Sequence, residues 1–396
     1  MQPTDLTDAE LERLRGWLAE ALPAYLGDLE RFVNVDCGSH LVAGVNQVGR
    51  WLAEQLRELG ATVEGVPGQA VGDTIVGRLA GGGHGGAGAG RRLLLIGHLD
   101  TVFPAGTAAA RPFRVAGGHA LGPGVSDMKA GLLSGLYALR ALRAIGRSLG
   151  AEVVFIANPD EELASPESTP VIEREARGAG TALVLEGARA NGDIVSSRKG
   201  VADIVLRVHG RAAHAGVEPE KGRSAILEAA HKTLALAALN GRWPGVTLNV
   251  GVVSGGTRPN VVPAEAMLHL DLRAVEPETM ALVEAEIERI CASASVPDVS
   301  CVVEYGPRFG PMVRSAGTAR LAERAIALAG RLGFTLRDAA TGGGSDAGTT
   351  SGLGVPTLDG LGPIGGLDHS PDEYLEIDSI VPRTTLLAAL IAAEAG

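Results

Sequence analysis

The sequence predicts an α/β fold in which a mostly parallel sheet is flanked by helices and the chain is interrupted by an inserted α+β unit. Three observations lead to this prediction. The chain has 396 residues, more than one ordinary hydrophobic core accommodates, so two domains are expected. In the first half, short apolar runs alternate with helical stretches, as in parallel sheets covered on both faces. This alternation changes near Val201 and resumes after about Arg308.

The first half of the chain begins with two amphipathic helices. A capping-box pattern, Thr7-Asp8-Ala9-Glu10, precedes leucines at helical spacing. A second helix is expected from about Val45 to Leu59, before Gly60. Buried strands and further helices then alternate. The strands are expected at Arg92 to Ile96, Ala151 to Ala157 and Thr181 to Leu185, and the helices near Asp127 to Ala144 and Pro166 to Arg177.

A Gly/Ala tract with one histidine, His84, occupies Gly81 to Gly90, directly before the first of these buried strands. Its glycines lack the spacing and the following helix that a phosphate-binding loop needs. We therefore expect a flexible hairpin or loop at this place.

The segment after Val201 has the pattern of a compact unit with four strands and two helices. Its strands are expected at Ala202 to His209, Thr247 to Val253, Glu265 to Arg273 and Ser300 to Tyr305, and its helices at Arg223 to Leu239 and Glu278 to Ala294. The prediction is therefore a discontinuous first domain, residues 1–198 and 309–396, with a second domain inserted at 199–308.

Charge and cysteine content exclude several classes of protein. The formal net charge is -11 and no basic run is present, which argues against a general nucleic-acid binder. Cys37, Cys291 and Cys301 are widely spaced and odd in number, so we expect no disulfide framework and a reducing compartment. No apolar stretch reaches the roughly 18 residues of a membrane span, and the first residues lack a leader pattern. The sequence predicts a cytoplasmic protein without a membrane partner.

Five acidic or imidazole residues follow predicted strands or lie in glycine-rich turns. They are His98, Asp127, Glu162, Glu186 and His369. Open α/β sheets bind their ligands at the carboxyl ends of the strands. We therefore expect these side chains to meet at one edge of the sheet.

Each motif also has a purely structural interpretation when it stands alone. His98 and Asp100 suit a metal ligand and the partner that orients its ring, but an isolated His-x-Asp also fits a buried structural histidine. Asp127, where a glycine-rich loop turns into a helix, equally fits a helix N-cap. The run Asp160-Glu161-Glu162 follows a buried strand, where a solvated charge run is the alternative to a charge-compensated site.

Charge arithmetic favours a pair of divalent cations. Asp127, Glu161, Glu162 and Glu186 together contribute -4, which two divalent cations would offset. Two cations roughly 3.5 to 4 Å apart can share one carboxylate and one water. We expect Asp127 to be the shared carboxylate.

As a set, these motifs resemble the zinc-dependent exopeptidase and aminoacylase superfamily, which includes bacterial glutamate carboxypeptidase, succinyl-diaminopimelate desuccinylase and acetylornithine deacetylase. Matching stretches extend from about Leu93 to Ser370. The resemblance implies two zinc ions per subunit, with cobalt or manganese as alternative metals. The implied ligand sets are His98, Asp127 and Glu186 for one ion and Asp127, Glu162 and His369 for the other.

The resemblance also implies the chemistry of the first domain. Asp100 would support the ring of His98, and Glu161 would be the general base. Glu161 would take a proton from the bridging water and return it to the leaving amine.

The inserted domain carries three further candidate residues, and a fourth follows it. In Gly210 to Gly216, His214 resembles the histidine of the family's dimerisation-domain motif, although a surface-loop histidine is the alternative. The resemblance implies a homodimer in which this histidine reaches the partner subunit's site and stabilises the oxyanion. Arg273 and Asn260 match positions that recognise the free carboxylate of the substrate. Gly344 lies in a glycine-rich loop whose backbone is able to approach the substrate closely.

The resemblance therefore implies a dinuclear zinc carboxypeptidase that releases a C-terminal amino acid, such as glutamate, from a small peptide or N-acyl amino acid. An N-acyl-amino-acid deacylase or desuccinylase with the same metal centre is the alternative. Gly187-Ala188 follows Glu186 where the glutamate carboxypeptidase branch usually has Pro-Thr, which leaves the substrate open. A third interpretation, a binding protein without turnover, is disfavoured by Glu161, because a binder needs no general base.

Overall fold

The computed structural model describes residues 6–82 and 92–396, which divide into two compact units. The first unit comprises Met1–Ser197, Arg314–Thr341 and Ser345–Gly396, and the second comprises Arg198–Val313 and Gly342–Gly344. Most of the Gly/Ala tract predicted as a loop, including His84, lies outside the described residues. Within the described ranges, no helix combines the length and the apolar character that a membrane span requires.

The N-terminal part of the first unit contains the predicted helices and buried strands together with short additional elements. In chain order these are α1 (Asp8–Val33), α2 (Val42–Glu58), β1 (Thr62–Val66), β2 (Thr74–Leu79), β3 (Arg92–His98), α3 (Thr107–Ala110), β4 (Arg114–Ala116), β5 (His119–Leu121), α4 (Ala130–Ala144), β6 (Glu152–Asn158), α5 (Thr169–Ala176), β7 (Thr181–Val184) and β8 (Ile194–Arg198). The predicted capping box is confirmed, since Thr7 Oγ1 accepts from the Glu10 backbone N–H and Glu10 accepts from that of Thr7.

The second unit consists of an antiparallel sheet and two helices. Its elements are β9 (Gly200–His209), α6 (Ala225–Ala237), β10 (Thr247–Gly255), β11 (Glu265–Ala274), α7 (Pro277–Ala292) and β12 (Ser300–Phe309). The strand order is β10-β11-β9-β12, so β10 and β12 form its two edges. The four strands and two helices predicted for the inserted segment are thus confirmed.

The chain then returns to the first unit. The remaining elements are α8 (Ala316–Arg331), β13 (Asp338–Thr341), α9 (Ala347–Gly352), β14 (Thr357–Leu358), β15 (Gly365–Gly366), β16 (Tyr374–Glu376) and α10 (Ile377–Ala395). Helix α10 is almost entirely buried and packs against α1 and α4 in the core.

The central sheet of the first unit has the strand order β1-β2-β6-β3-β7-β14. Strands β6, β3, β7 and β14 run parallel, whereas β2 is antiparallel to β6 and β1 to β2. Leu93, Leu94, Leu95 and Ile96 of β3 are all buried, because both faces of this central strand are covered. The predicted mostly parallel sheet is therefore confirmed, with an antiparallel ribbon along one edge.

A small antiparallel sheet, β15-β16-β5-β4, brings two distant loops together. Strand β5 leads into the loop before Asp127, and β15 and β16 flank the loop that contains His369. Because Tyr374 of β16 pairs with Leu121 of β5, the strand that ends the His369 loop lies beside the strand that leads into the Asp127 loop.

Candidate metal centre

The five side chains predicted as metal ligands lie together in the first unit, with Asp127 at the centre. Its Oδ1 is 3.0 Å from Nε2 of His98, and its Oδ2 is 3.0 Å from Nε2 of His369. On one side, Oε1 of Glu186 lies 3.6 Å from Nε2 of His98. On the other side, Oε2 of Glu162 lies 3.3 Å from Nε2 of His369. Each oxygen of Asp127 thus faces a different imidazole and carboxylate pair.

The order of the parallel strands explains how three of these residues meet. His98 is the last residue of β3, and its two sheet neighbours are β6 and β7. Glu162 lies in the turn after β6, and Glu186 follows β7. All three strands run in the same direction, so their carboxyl ends open at one edge of the sheet, as expected for ligand sites of this fold.

Asp127 and His369 reach the site from loops with demanding backbone conformations. Gly124, three residues before Asp127, has φ +72°, and a Cβ there would lie 2.5 Å from Cγ2 of Thr101. Leu367 and His369 adopt the left-handed region with φ of 57° and 62°. Non-glycine residues in this region are uncommon and concentrate at functional sites.

The donor set and its spacing fit divalent cations. Ligands placed 2.0–2.1 Å from a tetrahedral ion are about 3.3 Å from each other, close to the separations of 3.0 to 3.6 Å observed here. In the described part of the chain, Oε1 of Glu162 is buried and has no hydrogen-bond partner. Buried carboxylate oxygens normally have one, so this atom fits a metal ligand. Imidazole and carboxylate donors are the combination that zinc binds.

The electrostatics of the cluster favour positive charge. Burial opposes ionisation of Asp127, but hydrogen bonds from His369 and His98 lower its pKa overall. Hydrogen bonds to Asp127 and Glu162 raise the pKa of His369 to about 10. Burial works against protonation of His98, yet its hydrogen bonds to Asp100 and Asp127 raise its pKa well above the usual range. A site that stabilises charged imidazolium so strongly is also suited to metal cations.

Asp100, predicted as the partner of His98, lies beside its ring. Nδ1 of His98 lies 3.0 Å from the Asp100 carbonyl oxygen and 3.3 Å from Oδ1 of the same residue. Both neighbours are acceptors, so Nδ1 carries the proton and donates it. This leaves Nε2 directed at Asp127 and Glu186, in the orientation that second partners give to metal-binding histidines.

Asp100 also holds the turn that carries Glu161 and Glu162, which the sequence did not predict. Its Oδ1 accepts from the Glu161 backbone N–H at 3.2 Å, and its Oδ2 accepts from that of Glu162 at 3.2 Å. Oγ of Ser39 donates to the same carboxylate at 2.6 Å. One fully buried carboxylate thereby fixes a histidine and two neighbouring glutamates.

Glu161 lies at the edge of the same cluster. One carboxylate oxygen of Glu161, a ring nitrogen of His98 and an oxygen of Glu186 fall within 4.8 Å of one another, and Glu161 is only 9% exposed. Burial raises its pKa well above the usual range; His98 opposes this shift, while Glu186, Asp346 and Glu162 add to it. A carboxyl group with this property is suited to proton transfer near neutral pH.

Asp346 is a residue of the site region that the sequence reasoning did not single out. Its oxygens accept from Oγ of Ser165 at 2.6 Å and from Nδ2 of Asn158 at 2.9 Å. Ala164 and Ser165 have φ of 64° and 53°, so Asp346 stabilises a constrained backbone just after Glu162. Burial raises the pKa of Asp346 to about 6. The only local signal was its position at the end of the glycine-rich loop.

The other predicted residues, His214, Asn260, Arg273 and Gly344, belong to the second unit. His214 is exposed, and its Nδ1 accepts from the Gly216 backbone N–H at 3.1 Å. The proton of the neutral ring is therefore on Nε2, which leaves this N–H as a donor. The Asn260 carbonyl oxygen accepts from the backbone N–H of Ala215 at 3.0 Å, so these two candidate residues lie on adjacent loops.

Arg273 and Gly344 have contacts within the second unit. Arg273 donates to both carboxylate oxygens of Asp271 at 2.9 and 3.0 Å and to the Gly342 carbonyl oxygen at 2.7 Å. These bonds use three of the five guanidinium N–H groups and leave two. A Cβ at Gly344 would lie 2.7 Å from Cδ2 of Phe309, so close packing explains this glycine. The role of all four residues in substrate binding stays a prediction.

Comparisons with known proteins agree with this site. The profile of Peptidase family M20/M25/M40 matches residues 94–393. Carboxypeptidase G2 of Pseudomonas sp. (strain RS-16) is 33% identical over 382 residues, which cover 94% of this chain and 90% of that protein. Acetylornithine deacetylase of Edwardsiella ictaluri is 29% identical and the match covers 76% of this chain and 79% of that protein.

Solved structures show the same fold. The crystal structure of aminopeptidase PepT from Bacillus cereus has a TM-score of 0.78 and 25% sequence identity, covering 95% of this chain and 99% of that one. The resemblance inferred from the motifs is therefore confirmed. The chain belongs to Peptidase family M20/M25/M40 and is a metallopeptidase or a related amidohydrolase.

Proposed function

We propose that this protein is a carboxypeptidase that binds two zinc ions and releases a C-terminal amino acid, preferably glutamate, from a small peptide or N-acyl amino acid. The position of Asp127 carries the proposal, because each of its oxygens lies 3.0 Å from a different imidazole. A carboxylate in this position can be shared by two ions roughly 3.5 to 4 Å apart. His98, Asp127 and Glu186 would hold one ion, and Asp127, Glu162 and His369 would hold the other.

Glu161 would carry the proton through the reaction. When bound, the two cations would polarise the amide carbonyl and make water more acidic. As the water oxygen bonds to the carbonyl carbon, Glu161 accepts a proton from it. As the C–N bond breaks, Glu161 returns this proton to the amine nitrogen. The raised pKa of Glu161 supports both transfers, and Asp100 holds its backbone in place.

His214 would stabilise the negative charge that develops on the carbonyl oxygen, acting from the second subunit of a homodimer. Its Nε2–H is available as a donor because Nδ1 already accepts from Gly216. The second unit also presents apolar side chains that suit a partner surface. Leu234 is 72% exposed on α6, and Val252 and Val253 are exposed on the edge strand β10.

A mixing experiment tests this arrangement between subunits. Glu161→Gln and His214→Ala subunits are each expected to be nearly inactive alone. After dissociation and reassociation of an equal mixture, activity should recover to about a quarter of the wild-type value, because half of the dimers would combine one intact Glu161 with an intact His214 of the partner subunit.

The matched control is a mixture of Glu161→Gln with Glu162→Gln subunits, which damages the same domain in both partners and should not recover. Absence of recovery in the first mixture would contradict the action of His214 across subunits. A monomeric mass by light scattering in a fully active preparation would contradict it equally.

The preference for a carboxypeptidase rests on the relatives and on Arg273. Carboxypeptidase G2 matches 94% of the chain at 33% identity, whereas acetylornithine deacetylase matches 76% at 29%. Arg273 retains two N–H groups beside those that bind Asp271 and Gly342, and a free carboxylate accepts such a pair well. The deacylase alternative would use the same metal centre.

Substrate comparison separates the two activities. The zinc-loaded protein should be assayed on N-acyl glutamates, folyl-type glutamates, dipeptides, and acetyl and succinyl amides, with metal content measured in the same preparation. Amidation of the substrate's free α-carboxylate is expected to lower kcat/KM by about 10- to 100-fold, because the two remaining N–H groups of the partly exposed Arg273 would lose an ionic acceptor. Hydrolysis of acetyl or succinyl amides alone would overturn the carboxypeptidase proposal.

A further inference from the structure

Glu373 is a buried carboxylate directed at the backbone of the loop that carries Asp127. Its side chain accepts from the backbone N–H groups of Gly124 at 2.8 Å, Ser126 at 2.8 Å and Asp127 at 3.1 Å. The residue is 1% exposed. Three converging N–H donors in an interior are satisfied best by an anion, which forms stronger hydrogen bonds than a neutral acceptor.

Lys129 binds a backbone carbonyl group of the same loop. Its buried ammonium donates to the Pro123 carbonyl oxygen at 3.3 Å and to that of Val35 at 3.2 Å. The loop from Pro123 to Asp127 is therefore fixed by a buried carboxyl group on three of its N–H groups and by the buried Lys129 amino group on one of its carbonyls. Two buried ionisable side chains thus act on the same short loop, one on its N–H groups and one on a carbonyl.

The position of Glu373 connects two metal-ligand segments. It lies four residues after His369 and directly before β16, which pairs with β5 just ahead of the Asp127 loop. The hydrogen bonds of Glu373 span 246 to 249 residues of sequence. His369, whose backbone is in the left-handed region, is thereby held at a set distance from Asp127.

We propose that Glu373 is a positioning residue that sets the separation of Asp127 and His369, and so the affinity of the metal position that Asp127, Glu162 and His369 would form. This inference rests on the proposed function, because it assumes that position to hold an ion. Glu373 itself contacts the backbone of the loop and would act only through the two ligands.

Glu373→Gln tests the proposal with little change in volume. The amide would place an NH₂ group against one of three N–H donors and remove the charge that holds them. We expect one of the two ions to bind about 10- to 100-fold more weakly, as is typical when a group that orients a ligand is lost. Stepwise titration of metal-stripped protein against a chelator of known affinity measures this, and the visible spectrum of the cobalt-loaded protein reports the ligand geometry.

Glu228→Gln is the matched control. Glu228 is likewise 1% exposed and accepts backbone N–H groups, from Ser295 at 2.9 Å and Val296 at 2.7 Å, while it pairs with Lys232 at 2.9 Å. It lies in the second unit, so its replacement should lower the melting temperature without changing either metal affinity or the cobalt spectrum. Both substitutions thus replace a buried glutamate by glutamine, but only Glu373→Gln does so beside the proposed metal centre.

The outcomes separate the two proposals. If the wild type binds fewer than two ions, the proposed function itself fails. If the wild type binds two ions and Glu373→Gln binds both with affinities within twofold, the inference fails alone. If the glutamine variant does not fold, Glu373→Asp is measured instead, since it retains the carboxyl group but shortens the side chain. An unchanged affinity for both ions would overturn the inference. A lower affinity for one of the two ions would support it.

Discussion

Glu161→Gln is expected to lower kcat by about 10³-fold while the protein keeps its full metal content, because an amide cannot accept the proton that the reaction transfers. Glu161 is buried at the cluster and its pKa is raised, with burial as the largest cause. Its backbone is held by Asp100, so the substitution should leave the turn in place. Steady-state kinetics on the same samples used for metal analysis measure the effect.

Glu162→Gln, the same chemical change one residue later, is the control. Glu162 directs one oxygen to His369 at 3.3 Å and buries the other without a partner, so its replacement should reduce metal content and activity together. Glu161→Gln, by contrast, should lower activity without lowering metal content. If Glu161→Gln retained more than a tenth of wild-type kcat at full metal content, Glu161 would not be the proton carrier.

Asp127→Ala is expected to reduce metal content to less than one ion per chain and to lower activity on the order of 10⁴-fold, since several kcal/mol of charge stabilisation in the transition state would be lost. Both proposed ligand sets contain this carboxylate, and each of its oxygens serves one of them. Metal binding also stabilises a folded protein by mass action. The wild type, but not this variant, should therefore melt at a higher temperature when zinc is supplied.

Asp372→Asn provides the comparison for Asp127→Ala. Asp372 is an exposed acid on the loop between β15 and β16, and its loss should change neither metal content nor melting temperature in zinc. Two tightly bound ions in Asp127→Ala, measured by mass spectrometry after dialysis, would rule out a shared carboxylate at this position.

The central sheet was predictable because its signals are local. The continuous apolar run Leu93 to Ile96 is typical of a strand buried on both faces, and His98 follows it at once. The antiparallel ribbon of β1 and β2 gave no such signal, since its strands are short and contain glycines. Gly77, for example, is needed because a Cβ there would lie 2.8 Å from Cδ1 of Leu56 on α2, a contact that sequence periodicity does not reveal.

The candidate metal ligands were also readable from short motifs, whereas the groups that hold them were not. Glu373 contacts backbone atoms 246 to 249 residues away, and Asp346 contacts Asn158 across 188 residues. Such partners are determined by the packing of the finished fold, and the neighbouring sequence does not reveal which distant groups they contact. Asp271, by contrast, lies only two residues before Arg273 on β11, where it accepts from two of the five guanidinium N–H groups that the sequence assigned to substrate.

The carboxylate of Asp100 accepts one hydrogen bond from the backbone N–H of Glu161 and one from that of Glu162. Both residues are therefore tied to the same buried group, which affects how they move. Thermal displacement of the turn would carry the proposed proton acceptor and the proposed metal ligand along together, so the spacing between them is conserved while the surroundings fluctuate. Variants of Asp100 would consequently disturb both glutamates at once and, through the ring of His98, the cation position as well, so cation retention and turnover should fall together.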